Sequence, residues 1–348
     1  MENFRKSFFE LIDVSSSIII TSHISPDDDS IASVLSMYDV VTKYKSDVQV
    51  RIVYTAEKSN EVVGRYGTFQ NFEQIEFVDD VANHLNSYDL LIMLDGAEYH
   101  RFSRIPEKLQ QIKTSVVIDH HSSPPDNFTI SYIDTNSSSN AENIYSIFYD
   151  TELPSKKVAE IFLLGILADT GTFRFLKPTQ TKTFTVAKNL VEIIGISIDE
   201  FLSRYNQIST RAFMLLQEYI KNTVFDEIDG WPKFQYTFAS EKYIRDNNFL
   251  DSEISSASSM YAAFYIRNIQ EYSWGFTVNC RTTGDYNVSF RSLPKSVNVR
   301  DFAERMKIGG GHDRAAGGGF KKTDGYGSVS ACVDAIKEFM RNNKPLIS

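Results

Sequence analysis

The acids and histidines of this chain that could do chemistry stand directly after short apolar segments. The first group follows the segment 18–20 and contains His23, Asp27 and Asp29, with Pro26 stiffening the turn between them. A helix N-cap would need one of these acids, since Asp and Ser commonly begin helices. Three consecutive aspartates exceed that need, because their mutual repulsion is unfavourable unless cations neutralise it. The group therefore predicts a metal site.

Two further groups follow apolar runs in the same way. Asp95 ends the run 90–94, and the triplet Asp-His-His at 119–121 ends the next run. An aspartate at a strand end is often only a turn former, and adjacent histidines can be one core and one surface side chain. Imidazole beside carboxylate is also the donor combination of Mn, Fe and Zn sites. These groups favour the same metal chemistry as the first.

Asp169 closes a predicted helix, where a carboxylate opposes the macrodipole and costs roughly a few tenths of a kcal/mol unless a cation offsets it. The combined set supplies imidazole and carboxylate donors for two ions if one aspartate bridges. Two metals roughly 3.5–4 Å apart are a common arrangement for phosphoester hydrolysis. The candidate ligands are His23, Asp27, Asp29, Asp95, His120 and Asp169.

These residues need a scaffold that brings strand ends together. Apolar runs predict strands at 18–21, 48–54, 75–78, 89–94, 115–119 and 129–133, with helical spacing between several of them, as at 30–44. Runs without alternation are typical of strands covered on both faces of a parallel sheet. Ligands of such sheets gather beyond the carboxyl ends of the strands. The fold class predicted for the first half is therefore α/β with a parallel sheet.

The rest of the chain predicts a helical segment and then a smaller α+β domain. Helices are expected at 142–149, 155–168, 179–194 and 198–221, the last as a linker. Strands at 224–228, 234–238, 272–281 and 286–291 accompany helices through 254–266 and at 329–342. We therefore expect a metal-binding domain at 1–194, a helical linker at 195–221 and a substrate-binding domain at 222–348.

Composition limits the kind of partner. The chain has 348 residues, a net charge of −9 and a mean hydropathy of −0.26, which disfavours membrane insertion and affinity for long nucleic acid. Two cysteines and no export signal favour a reducing cytoplasm. The sequence does not define the oligomeric state, and a homodimer stays open.

A glycine run at 309–311 could surround a phosphate with backbone N–H groups, whereas its plain alternative is a flexible turn. His312 and Arg314 follow the run and add positive or hydrogen-bonding groups, and Arg101, six residues after Asp95, is a weaker candidate for the same cleft. The candidate substrate-binding residues on these grounds are Arg101, Gly310, Gly311, His312 and Arg314.

Taken in order, these motifs resemble the DHH phosphoesterase family, and within it the nanoRNase and pAp phosphatase branch. The segment 23–29 has the family's His-x-x-Pro-Asp-x-Asp pattern, the triplet at 119–121 is its Asp-His-His, and 168–171 is Ala-Asp-Thr-Gly. The segment 309–317 resembles the signature of the DHH-associated C-terminal domain. The resemblance covers nearly the whole chain and agrees with the two-domain prediction.

The resemblance implies two Mn²⁺ ions, with Mg²⁺ or Co²⁺ as substitutes. It assigns His23 and Asp27 to one ion and Asp95 to both as the bridge. The other ion is assigned Asp29, His120 and Asp169.

It also implies catalytic roles for Asp95, His120 and His121, the last orienting a ligand or the substrate, and a phosphate contact for Arg291. Two positions depart from the family pattern, which usually has glycine at both: Asp28 and Ala32. Asp28 tolerates a left-handed backbone better than most residues, but its charge would be expected to alter metal affinity.

The leading functional hypothesis is a Mn-dependent phosphohydrolase that degrades very short RNA to nucleoside 5′-monophosphates and dephosphorylates pAp. One alternative is a phosphodiesterase of linear or cyclic dinucleotides such as pApA or c-di-AMP. A second alternative is a catalytically silent module that senses a dinucleotide. The presence of all six expected ligands disfavours the silent module.

Overall fold

The computed structural model describes residues 1–24, 26–85, 88–149, 152–205 and 207–348. The chain divides into two compact units, Met1–Tyr205 and Asn206–Ser348. Residue 25, inside the His-x-x-Pro-Asp pattern, and residue 206, inside the predicted linker, lie outside the described ranges.

The first unit is built on a parallel sheet. Its strands are β1 (Ser17–Ser22), β2 (Gln49–Thr55), β3 (Ile75–Val78), β4 (Leu90–Leu94), β5 (Ser115–Asp119) and β6 (Ile130–Ile133). Their order is β3-β2-β1-β4-β5-β6, and every pairing is parallel. All six predicted strands are confirmed, with ends within one residue.

Helices cover both faces of this sheet. They are α1 (Glu2–Val14), α2 (Asp28–Tyr44), α3 (Asn60–Tyr66), α4 (Tyr99–Phe102), α5 (Pro106–Leu109), α6 (Asn140–Phe148), α7 (Lys156–Asp169), α8 (Lys182–Ile194) and α9 (Ile198–Tyr205). Alternate residues of β1 enter different cores, with Ile18 and Ile20 in one and Ile19 in the other. Apolar runs without alternation follow from burial on both faces.

The second unit contains a mixed sheet. Its strands are β7 (Val224–Asp226), β8 (Phe234–Phe238), β9 (Trp274–Cys280), β10 (Tyr286–Ser292), β11 (Gly309–His312) and β12 (Ala315–Phe320). Their order is β11-β12-β10-β9-β8-β7, with only the β8–β9 pairing parallel. The helices are α10 (Thr210–Lys221), α11 (Glu241–Asp246), α12 (Asp251–Phe264), α13 (Val299–Arg305) and α14 (Val329–Asn342). The predicted fold class, a parallel α/β domain followed by a smaller α+β domain, is confirmed.

One local prediction is wrong, and the alternative that the glycine run is a flexible turn is excluded. The expected single helix 198–221 is two helices, because Ser209 caps a new start by accepting a hydrogen bond from the Ala212 N–H. Phe201 of α9 packs in the core of the first unit, and Leu215 of α10 packs in a core of the second. The glycine run is also not a flexible turn, since it forms β11 and pairs with β12.

None of the helices in the described part of the chain combines the length and the apolar character needed to cross a membrane.

Candidate metal centre

The centre of the first unit lies where three neighbouring strands end. Ser22 of β1 pairs with Leu94 of β4, and Leu94 pairs with Ile118 of β5. The residues that follow these positions, among them His23 and Asp95, therefore emerge side by side at one edge of the sheet. The N-terminus of α2 and the C-terminus of α7 bring further acids to the same edge.

One group consists of His23, Asp27 and Asp95, whose ligand atoms lie within 4.8 Å of one another. His23 Nε2 is 3.4 Å from Asp27 Oδ2 and 3.3 Å from Asp95 Oδ2. Asp27 is also the N-cap of α2, where its Oδ1 accepts a hydrogen bond of 2.9 Å from the Ser30 N–H. The capping role uses one carboxylate oxygen and leaves the other facing the histidine.

A second group consists of Asp29, His120 and Asp169, with ligand atoms again within 4.8 Å. His120 Nε2 is 3.3 Å from Asp169 Oδ2 and 3.9 Å from Asp29 Oδ2. These two groups correspond to the two ligand sets that the resemblance implies.

Asp95 lies between the two groups. Its Oδ2 faces His23, while its Oδ1 is 3.4 Å from His120 Nε2. Its φ of 61° is a left-handed conformation that aspartate adopts more readily than most residues. This geometry suits a bridging carboxylate, because one oxygen lies near His23 and the other near His120.

Two observations fit divalent cations at this centre. Asp95 Oδ1 is buried and accepts no hydrogen bond from the described residues. His23 Nδ1 lies 3.0 Å from the Ile24 carbonyl oxygen, which can only accept, so Nδ1 is the donor and Nε2 is the nitrogen that faces the two carboxylates. Mixed imidazole and carboxylate donors suit first-row divalent metals.

The electrostatics point the same way. Burial opposes the charge of His120, yet the carboxylates of Asp95 and Asp169 raise its pKa to about 10. Burial and the charge of Asp95 raise the pKa of Asp29 to about 8. Burial and the charge of Asp29 raise the pKa of Asp169 well above its ordinary value. Carboxylates brought this close hold protons unless other positive charge replaces them.

The environment of Asp29 was not predicted from the sequence. Its two carboxylate oxygens accept hydrogen bonds of 2.6 Å and 2.9 Å from the backbone N–H groups of Asn140 and Ala141, at the N-terminus of α6. A Cβ on Gly165 of α7 would lie 2.6 Å from Asp29 Oδ1 and 3.1 Å from the Cβ of Ala32. Asp29 thus depends on a helix N-terminus and on a glycine, and Ala32 is small enough for the same close contact.

His121 has a separate partner, Asp119. Its Nδ1 is 2.7 Å from Asp119 Oδ1, which also accepts a hydrogen bond from the His120 N–H. Asp119 is fully buried. Burial and the neighbouring His120 lower the pKa of His121. The sequence did not single out Asp119 as the residue that orients His121, although its place in the triplet could have suggested it.

Arg101 lies close to the centre. Its carbonyl accepts a hydrogen bond of 2.7 Å from the Ile24 N–H, and its Nε is 3.5 Å from where a Gly96 side chain would begin. Its side chain is therefore beside the loop that carries Asp95.

The remaining predicted site residues belong to the second unit. Gly310, Gly311 and His312 lie on the edge strand β11, and His312 is exposed. Arg291, near the end of β10, has no ion-pair partner among the described residues, and burial lowers its pKa to about 10. Arg314 donates hydrogen bonds to the carbonyls of Ser296, Val297 and Ser348, so its guanidinium is engaged in the fold of this unit.

Comparisons with known proteins agree with this architecture. The chain is 27% identical over 316 residues to the "Probable bifunctional oligoribonuclease and PAP phosphatase NrnA" of Streptococcus mutans, with 90% of this chain and 92% of that protein covered. It is 25% identical over 339 residues to the bifunctional oligoribonuclease and PAP phosphatase NrnA of Bacillus subtilis, covering 93% and 96%. An exopolyphosphatase-related protein from Bacteroides fragilis has the same fold, with a TM-score of 0.78, 19% identity and 97% of both chains covered.

Two family descriptions match the chain in order. Residues 17–166 match the DHH family N-terminal domain, and residues 243–342 match the DHHA1 domain. The first range contains five of the six candidate ligands, and the second contains the glycine strand with His312. The chain therefore carries a DHH family N-terminal domain followed by a DHHA1 domain.

Proposed function

We propose that this protein is a metal-dependent hydrolase of phosphoric esters that degrades very short oligoribonucleotides to nucleoside 5′-monophosphates and dephosphorylates pAp. The observation that carries the proposal is the pair of ligand groups, with Asp95 of the first group 3.4 Å from His120 of the second. The names of the relatives, which describe oligoribonuclease and PAP phosphatase activities, narrow the substrate class. The acidic net charge of −9 favours short anionic substrates over long nucleic acid.

Two Mn²⁺ ions bound at this centre would supply Lewis-acid stabilisation of the phosphoryl oxygens and an activated water. His23 and Asp27 would hold one ion, Asp29, His120 and Asp169 the other, and Asp95 both. Mg²⁺ and Co²⁺ are the substitutes to compare.

The chain's own residues would position the substrate. Asp119 holds the Nδ1 hydrogen of His121, which leaves His121 Nε2 to orient a ligand or the substrate. Arg291 has no carboxylate partner among the described residues and suits a substrate phosphate. We assign His312, Gly310 and Gly311 to substrate binding as well, with Arg101 as a further candidate. Arg314 would support the paired strands β11 and β12.

A substrate panel tests the proposal. The full-length protein, loaded with Mn²⁺, is incubated with pAp, pApA, c-di-AMP and RNA of increasing length, and the products are separated. We expect nucleoside 5′-monophosphates from pAp and from the shortest RNAs, with little product from long RNA. Preference for c-di-AMP or pApA would favour the dinucleotide phosphodiesterase instead. Binding without turnover of any substrate would favour the silent module.

We also propose that the protein acts in the cytoplasm, since Cys280 and Cys332 are both free and buried. Light scattering of the same preparation tests the homodimer that the sequence leaves open.

A further inference from the structure

The middle residue of the three-aspartate run faces a different partner from its neighbours. Asp27 and Asp29 belong to the two ligand groups, whereas Asp28 meets Arg65 of α3. Arg65 Nε donates to Asp28 Oδ1 at 2.6 Å, and Arg65 Nη2 donates to Asp28 Oδ2 at 2.5 Å. The Tyr66 hydroxyl donates to Oδ1 at 2.7 Å. Asp28 is therefore held by three hydrogen bonds from α3.

This contact is a two-point, charge-assisted pair in a partly buried place. The side chains of Asp28 and Arg65 are 15% and 34% exposed. Burial opposes the charge of Arg65, yet its pKa lies above its ordinary value because Asp28 accepts its hydrogen bonds. Removal of the arginine would leave a poorly hydrated carboxylate without a counter-charge, between Asp27 and Asp29 in the chain. Asp28 would then be drawn toward any cation nearby.

Arg65 also reaches a third segment. Its Nη1 donates a hydrogen bond of 3.0 Å to the carbonyl of Tyr205, the last residue of α9. One guanidinium thus joins the first turn of α2, helix α3 and the end of α9. The first turn of α2 carries Asp27 and Asp29, so this junction fixes the position of ligands that Arg65 does not touch.

We propose that Arg65 is a positioning residue of the metal centre that acts through Asp28. Asp28 stands where the family pattern usually has glycine. Its pairing with Arg65 keeps the third carboxylate out of the centre and leaves Asp27 and Asp29 as the ligands from this turn. The inference rests on the proposed metal centre. It replaces the expectation that Asp28 adds its charge to the site.

If the Arg65–Asp28 pair only stabilised the fold, loss of another ion pair in the same unit would have the same effect on Mn²⁺ binding. The chain offers such a pair as a matched control. Arg51 and Glu76 form the same fork-to-carboxylate pair on strands β2 and β3 of the same unit, with Arg51 Nε donating to Glu76 Oε1 at 2.6 Å. Neither residue belongs to a ligand group. Loss of this pair removes a similar contact without releasing a carboxylate near the centre.

The experiment compares Arg65→Ala, Asp28→Gly, the double variant and Arg51→Ala in the full-length protein. Mn²⁺ affinity and stoichiometry are measured by following unbound Mn²⁺ by electron paramagnetic resonance, together with the melting temperature of the metal-free protein. We expect Arg65→Ala to bind Mn²⁺ about tenfold more weakly, the size typical of a residue that orients metal ligands. Asp28→Gly and the double variant should both bind Mn²⁺ within about threefold of the unaltered protein, because neither has a released carboxylate at position 28. Arg51→Ala should bind Mn²⁺ like the unaltered protein.

Three outcomes overturn the inference. Unchanged Mn²⁺ binding in Arg65→Ala removes the positioning role, and an equally large defect in the double variant shows that Arg65 does not act through Asp28. A similar loss of affinity in Arg51→Ala shows that the effect is general destabilisation. If Arg65→Ala does not fold, Arg65→Lys keeps the charge but not the fork and should give a smaller loss that Asp28→Gly again relieves. Failure of the unaltered protein to bind Mn²⁺ overturns the metal centre itself, which is distinguishable from failure of the pair.

Discussion

The two candidate regions of this chain differ in how the fold holds them. In the first unit Asp29 and Asp95 are 1% and 2% exposed, and the backbone of α6 and the end of β4 fix their positions. In the second unit the glycine strand β11 is at a sheet edge, and His312 on it is exposed. A metal ligand set needs fixed geometry before binding, whereas a substrate-contacting strand needs an accessible surface. The comparison predicts that substitutions in the first region lower Mn²⁺ binding, whereas substitutions in the second lower kcat/KM and leave Mn²⁺ binding unchanged.

The largest effect is expected at Asp95, which lies between the two ligand groups. Asp95→Ala should lower kcat more than any other single ligand change, by about a thousandfold or about 4 kcal/mol. The loss arises because a bridging carboxylate serves both ions, so the bound Mn²⁺ should also fall. Turnover at saturating Mn²⁺ is measured beside Asp95→Asn, which keeps the volume. Turnover comparable to that of the unaltered protein would contradict the bridging role.

The corresponding substitution in the second unit, at His312, should leave Mn²⁺ binding unchanged. His312→Ala should lower kcat/KM for pAp and short RNA by about a hundredfold, or about 3 kcal/mol, as expected for one charge-stabilising donor. Mn²⁺ content should stay the same, because His312 is outside the six proposed ligands. Loss of Mn²⁺ from a folded His312→Ala protein would make it a ligand and would remove the contrast between the regions.

The sequence predicted the strand ends and the candidate ligands because each ligand directly follows an apolar run or caps a helix. It could not predict the supports, which come from distant positions: the Asn140 and Ala141 amides for Asp29, and Arg65 for Asp28. A charge run such as 27–29 shows repulsion but not which member is neutralised by a partner. The glycine strand escaped prediction because glycines carry no side-chain alternation, the usual signal of a strand.

Two glycine substitutions, one in each unit, test the contrast between the two regions through the free energy of unfolding. Gly165→Ala places a Cβ 2.6 Å from Asp29 Oδ1, and Gly309→Ala places one 1.9 Å from the Gly317 carbonyl oxygen. Each should lower the free energy of unfolding of its own unit by about 1–3 kcal/mol. Hydrogen exchange locates the destabilised unit, and only Gly165→Ala should also weaken Mn²⁺ binding. Equal Mn²⁺ affinity in both variants would mean that the close packing of α7 does not position Asp29.

Mn²⁺ affinity should also change with pH. The pKa of His120 is raised to about 10 and that of Asp29 to about 8, so both groups carry a proton at pH 7 without metal. A bound cation requires both to be deprotonated, so binding releases protons and the affinity rises with pH. Each displaced proton contributes about 1.4 kcal/mol per pH unit.

The slope should be steepest below about pH 8, where Asp29 and His120 both contribute, and should fall above it, where Asp29 is already deprotonated and His120 still releases a proton. Arg291, with a pKa of about 10, keeps its charge between pH 6 and 8, so this dependence belongs to the first unit. Calorimetric titration of Mn²⁺ in buffers of different ionisation enthalpy counts the released protons. Binding without proton release across this range would show that His120 and Asp29 are already deprotonated, and the proposed competition between protons and cations would be wrong.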